Sequence, residues 1–339
     1  MNRNRLGILA AMIVSSVLLM ALFLEGALRV VFYHSKDFSM EMWKYATQLK
    51  RPVDNPKLSF AHEPNGHAFL MGTDVQINSQ GLRDYEYPLA KPVGAYRIML
   101  LGDSTTFGWG DPLQDTAAKI LERQLNADHV PGIQRFEVIN AGVGNYDTVQ
   151  EVTYYETRGR AFHPDLVILV YFINDPEPVP VEKKGILIDR SYLIAFLTNR
   201  FDGVLRRLGT RPDWKTYYSS LYSDDFPSYQ ACKAALKDLT VATRDDNAKL
   251  VVAILPELHQ INSNYPFTAA HQKIKDVLAP DHVPVLDLID GLRNHGPEST
   301  LWVTSLDDHP NGKANALVAA QLRDWILRDL SAASSTPSR

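Results

Sequence analysis

The chain has 339 residues, 45% of them hydrophobic, and a formal net charge of -4. That composition supports a sizeable core in one large domain or two small ones, and it excludes a disordered chain and a general nucleic-acid binder, which would need a basic surface. A single cysteine, Cys232, excludes an intramolecular disulfide and a cysteine-rich zinc site, and leaves the compartment open.

The first predicted element is an apolar run from Leu6 to Leu24, 19 residues without a charge, preceded by Arg3 and Arg5. At about 1.5 Å per residue it just crosses a hydrocarbon core of roughly 30 Å. The arginines predict a cytoplasmic N-terminus with the rest of the chain across the membrane. A cleaved signal peptide competes with this reading, but Phe23-Leu24-Glu25-Gly26 offers no good small-x-small cleavage site. Residues 1–25 are therefore expected to be a transmembrane anchor. Residues 26–95 are mixed and aromatic-rich, with turns at Pro64-Asn65-Gly66 and Asn78-Ser79-Gln80-Gly81. They predict an extension of short strands packed on the main domain.

From Tyr96 onward, compact apolar segments alternate with helical ones, which predicts a parallel sheet covered on both faces. Five strands are expected: Arg97 to Leu101, Phe136 to Asn140, Leu166 to Phe172, Leu250 to Leu255 and Val283 to Leu288. Helices are expected over Thr116 to Ala127, Tyr229 to Asn247 and Lys313 to Leu330, the last with Leu317, Val318, Leu322, Trp325 and Ile326 at helical spacing. These elements make up a main domain over residues 96–330. An insertion over residues 176–227 carries the run Tyr192-Leu193-Ile194-Ala195-Phe196-Leu197 and the aromatics Trp214, Tyr217, Tyr218 and Tyr222. It reads equally as a lid or substrate wall and as a cover for the core. Residues 331–339 read as a frayed polar tail, and no internal repeat is evident.

Four blocks could carry chemistry, each at the carboxyl end of a predicted strand or just before the last helix. Gly102-Asp103-Ser104-Thr105 leaves the first strand and exposes a serine beside free helix-start amides. Asn140-Ala141-Gly142-Val143-Gly144-Asn145-Tyr146-Asp147-Thr148 follows the second strand, with glycines that let a backbone amide be aimed at a reacting oxygen. Tyr171-Phe172-Ile173-Asn174-Asp175 follows the third and supplies a neutral hydrogen-bond donor. Asp307-Asp308-His309-Pro310-Asn311 supplies a histidine and its carboxylate, without which a serine hydroxyl is a poor nucleophile. Glu257 and His259, after the fourth strand, and Arg83, from the extension, are candidate substrate contacts. A structural pair and a salt bridge are their plainer readings. Asp103 is expected to buttress the serine loop or cap the next helix. No H-E-x-x-H pattern occurs, so neither a metal nor a cofactor is expected.

At these four blocks, over about residues 96–330, the chain resembles the SGNH superfamily of the GDSL hydrolases. With its apolar N-terminus it is also similar to membrane-anchored bacterial members found with cell-surface polysaccharide systems. The resemblance implies a flavodoxin-like three-layer α/β/α sandwich with a five-stranded parallel sheet. It implies Ser104 as nucleophile, its own amide in the oxyanion hole, Asn174 as a second donor and His309 as base. Three positions depart from the pattern: Asn145 falls where the family has its second-block glycine, with Gly144 one residue earlier; Phe172 replaces a glycine; and Leu306 occupies the usual acid position. Asp307 is then the expected triad acid, with Asp308 as alternative, and the second-block amide is that of Asn145 or Gly144.

The function so implied is a serine esterase or deacylase working through an acyl-enzyme, with the O-acetyl groups of an exported polysaccharide as a candidate substrate. An O-acyltransferase to a glycan would use the same groups, and a non-catalytic glycan-binding or assembly protein is the third reading. The expected setting is the bacterial inner membrane, single-pass, with the main domain periplasmic and polysaccharide-assembly proteins as partners.

Overall fold

The computed structural model describes residues 3–179, 189–207 and 213–335. Helix α1 (Arg3–Val31) is followed by α2 (Phe38–Gln48) and two antiparallel strand pairs, β1 (Lys50–Pro52) with β2 (Phe60–His62) and β3 (His67–Leu70) with β4 (Thr73–Gln76). The regular part runs β5 (Ala95–Leu101), α3 (Ser104–Phe107), α4 (Ala117–Ala127), β6 (Arg135–Asn140), α5 (Thr148–Thr157) and β7 (Leu166–Tyr171). Then come α6 (Tyr192–Arg207), α7 (Trp214–Leu221), α8 (Pro227–Asp245), β8 (Lys249–Ile254), α9 (Thr268–Leu278), β9 (Val285–Asp287) and α10 (Ile289–Leu292). A last antiparallel pair, β10 (Trp302–Thr304) and β11 (Asp307–Pro310), leads into α11 (Gly312–Ser335).

Strands β6-β5-β7-β8-β9 form one parallel sheet in that order. All six residues of β7 are buried, as are the last five of β5, because helices cover both faces and leave no side for polar alternation. The order is doubly wound, and the crevice where it reverses lies between the carboxyl ends of β5 and β7. Those are the ends that carry Ser104 and Asn174.

The five strands fall where the sequence places them, with ends shifted by at most two residues. Helix α11 continues to Ser335, so the polar stretch from Ser331 is helical that far; residues 336–339 of the expected tail lie outside the described residues. Between residues 26 and 95 the chain also forms α2, which the sequence reading did not foresee. It buries Met40, Glu41, Lys44 and Tyr45; Lys44 bonds Glu41 at 2.9 Å, and Glu41 also accepts from the Met71 amide at 2.7 Å. Much of the insertion is described, apart from residues 180–188 and 208–212. The run from Tyr192 to Leu197 belongs to α6 and packs on α1 and α2 through the Phe32–Phe196 and Trp43–Tyr192 ring pairs.

Candidate active site

Strand β5 ends at Leu101, and Asp103 caps the short helix that starts at Ser104. Its carboxylate accepts from the Thr105 amide and hydroxyl, both at 2.8 Å, and from Asn174 Nδ2 at 3.3 Å. The Ser104 amide, first in that helix, has no intrahelical acceptor. Gly142 is dictated by contact: a Cβ there would sit 2.3 Å from the Phe107 amide nitrogen, so only glycine lets the loop after β6 close onto α3.

Ser104 Oγ lies 2.8 Å from His309 Nε2, and His309 Nδ1 lies 2.6 Å from Asp307 Oδ1. Asp307 Oδ2 accepts from Trp109 Nε1 at 3.0 Å, and its Oδ1 also accepts from the His309 amide at 3.2 Å. Of the two neighbouring acids it is Asp307 that meets His309, for a reason in the backbone. Both residues lie on β11, where positions two apart share a face and the residue between them points away. Asp308 instead approaches His259, Nδ1 to Oδ2 at 3.5 Å.

Burial alone would favour neutral His309, but the hydrogen bond and charge of Asp307, with the charges of Asp308 and Asp103, raise its pKa above the ordinary value. For Asp307, burial favours the acid form, and the bonds and charge of His309 outweigh it to lower the pKa. Both shifts favour the charged forms, so Asp307 is held as a carboxylate and the imidazole of His309 takes up a proton more readily than usual.

The second-block amide is decided by the segment before β5. Gly144 N–H already donates to Tyr45 Oη at 2.8 Å, so Gly144 is not a free donor, which corrects that half of the expectation. Asn145, at φ 66°, takes the left-handed conformation that asparagine tolerates, and its amide has no acceptor among the described residues. Lys50 Nζ holds the loop from beneath, bonding Gly144 O at 2.6 Å and Asn145 Oδ1 at 3.0 Å. The Tyr45 hydroxyl in turn donates to His62 Nε2 at 2.7 Å, and His62 Nδ1–H donates to Gly81 O at 3.1 Å, a chain that fixes the neutral tautomer. Burial agrees, lowering the His62 pKa to about 3. Sequence reasoning missed Tyr45, Lys50 and His62, because nothing local ties them to a loop almost a hundred positions away.

Ser104, Asn145, Asn174 and His309 line one cleft of about 350 Å³ together with Phe38 and Met42 of α2, Phe172, Trp214 and Tyr218. The insertion therefore does supply a wall, through Trp214 and Tyr218. Tyr222 is buried and bonds Tyr171 and Ile173 instead, and exposed Tyr217 donates to Glu177 at 2.9 Å. Glu257 and His259 reach the cleft bonded to each other, with Asp308 beside them. Burial first, and then Asp308, push the Glu257 pKa up to about 10. These three offer one ligand atom each within 4.8 Å of one another, a donor set that a divalent cation could use. Arg83 is not brought to the cleft. It is 1% exposed, and its guanidinium donates to the carbonyls of Phe107, Gly108 and Asp111, so it braces the turn after α3 rather than a substrate.

Comparison with known proteins places this arrangement. No curated protein matches the chain. Among solved structures, an acetylxylan esterase from Geobacillus stearothermophilus, captured as a catalytic mutant, aligns at 12% identity over 69% of this chain and 94% of its own, TM-score 0.45. The psychrotrophic esterase EstA from Pseudoalteromonas aligns at 15% identity over 69% and 98%, TM-score 0.43. A two-domain esterase active on acetylated mannans aligns at 16% identity over 70% and 50%, TM-score 0.45. The model of the GDSL-like lipase/acylhydrolase family matches residues 100–317, a span that holds Ser104, Asn174, Asp307 and His309. The chain belongs to that family and is a hydrolase of ester bonds.

Proposed function

We propose that the protein is a serine esterase that removes acyl groups, O-acetyl among them, from an exported or cell-surface glycan. The observation that carries this is the unbroken chain Ser104–His309–Asp307 at 2.8 and 2.6 Å inside the cleft. His309 Nε2 takes the Ser104 proton as Oγ bonds to the ester carbonyl carbon. The oxyanion meets the amides of Ser104 and Asn145 and the Nδ2 of Asn174. Collapse breaks the ester C–O bond, the proton on His309 passes to the leaving alcohol, and an acyl-serine remains. Water, deprotonated by His309, then attacks that acyl-serine, the bond from the carbonyl carbon to Ser104 Oγ breaks as His309 returns the proton to Oγ, and the acid leaves. Asp307 orients the ring and stabilises its cationic form, and Trp109 fixes Asp307.

The glycan part of this reading draws support from the open, aromatic-walled cleft and from the acetylated-glycan esterases that the chain resembles in outline. Helix α1 is exposed along its apolar length and is long enough to cross a membrane, as a single-pass anchor or a signal sequence would be. We place it as the anchor of residues 1–25 in the bacterial inner membrane, with Arg3 and Arg5 cytoplasmic, residues 26–95 as the extension, and the hydrolase part, residues 96–330, periplasmic.

The test is acetate release by the full-length protein in detergent from p-nitrophenyl acetate and from an O-acetylated glycan, beside Ser104→Ala. Activity confined to the wild type supports the reading, and equal activity of both proteins overturns it. Adding an unacetylated acceptor glycan separates hydrolysis from transfer, since acetyl on the acceptor would make the protein an O-acyltransferase.

A further inference from the structure

The charged groups of the cleft are of one sign. Among the described residues, Glu177 and Asp308 line it beside the carboxyl of Glu257, and no lysine or arginine does. Asp103 lies directly beneath, 1% exposed, against Thr105 and Asn174. Two cations among the described residues near it are committed elsewhere. Lys50 is buried under the oxyanion loop on Gly144 O and Asn145 Oδ1, and Lys215 bonds Gln260 at 2.7 Å, 5.4 Å from the Trp214 ring. The two imidazoles, His259 and His309, are each paired with a carboxylate. Beside these acids stand Trp214 and Tyr218, whose rings offer apolar faces to the C–H faces of a sugar, and carboxylates that accept well from hydroxyls. A uronate ring would instead bring its own carboxylate against them.

We propose that the cleft selects an uncharged acylated glycan and rejects a polyuronate, with Glu177 and Asp308 as the rejecting groups. This rests on the esterase reading above, and it adds the substrate's charge class to it. Rejection by like charge across a partly desolvated wall is a selectivity device that needs no added contact with the right substrate.

The experiment uses the full-length protein in neutral detergent with EDTA, so that no cation held by Glu257, His259 and Asp308 masks the carboxylates. Two substrate pairs are compared by kcat/KM: phenyl acetate against 4-acetoxybenzoate, and O-acetylated xylan against an O-acetylated polyuronate. The wild type is expected to favour the neutral member of each pair by about tenfold or more at low salt, with the gap narrowing near half-molar salt as screening sets in. Asp308→Asn and Glu177→Gln should each shrink the ratio by at least about threefold, whatever they do to the absolute rate. Equal turnover of charged and neutral partners, or a ratio that neither variant nor salt moves, overturns the proposal. If the small esters show the expected ratio while neither polymer releases acetate, the charge selection stands and the glycan reading falls. If no ester is cleaved at all, both fall.

Discussion

In the proposed mechanism His309 must be neutral to accept the Ser104 proton, and the net pull of Asp307, Asp308 and Asp103 against burial raises its pKa above the ordinary value of 6.5. The acid limb of kcat/KM is therefore expected above that pH, with activity lost as the ring protonates below it. Asp307→Asn removes the strongest of the raising influences, so a pH–rate profile of that variant should show the limb displaced downward and a plateau roughly 100-fold lower or worse. Asn174→Ala takes away one oxyanion donor and should cut kcat by about 100-fold to 1,000-fold while KM moves less, measured on p-nitrophenyl acetate. Three of the motif blocks stood out in the sequence because each follows a strand end, and the fourth because it sits just before the last helix. The partner of His309 was legible only as one of two acids, and the alternation of β11 makes the choice. Arg83, read from sequence as a substrate contact or a salt bridge, donates instead to three backbone carbonyls, partners that sequence does not display.

The elements of the sheet were plain in the sequence because strands buried on both faces are almost uniformly apolar. Leu169, fully buried in β7, is expected to cost about 2–5 kcal/mol when cut to alanine, read by chemical denaturation. Helix α2 was not legible, since the face it buries mixes Met40 and Tyr45 with the ion pair of Glu41 and Lys44, and such a stripe lacks apolar periodicity. Yet α2 and the start of β1 shape the site, through Phe38 and Met42 in its wall and Tyr45 and Lys50 under its loop. Lys50→Met should therefore lower kcat by roughly tenfold, with KM and the melting temperature changed far less and Lys50→Arg recovering part of the loss. A variant that simply unfolds would contradict this positioning role.

At the scale of the whole molecule, α1 has no cover from the other described residues over its apolar run, and Glu25 ties its far end to the start of α6 by bonds to Ser191, Tyr192 and Leu193. An anchored protein should stay with membranes through an alkaline carbonate wash and keep its first 24 residues. A mature N-terminus downstream of Leu24 would mean cleavage instead. The sequence showed the apolar run but not the clasp by Glu25, which exists only once the insertion has folded back.

Ser104 and His309 stand 205 positions apart. A chain made from its N-terminus thus has its nucleophile long before its base: when β5, α3 and β7 have emerged, the serine is only a capped hydroxyl at a strand end. Chemistry begins when β11 docks, one of the last pairings the chain can make, and closure of such distant contacts is slow. Synthesis itself is then a timer. On the proposed mechanism a copy ending before β11 lacks its base, and the bond between Ser104 and His309 forms only once β11 has come against the carboxyl end of β5.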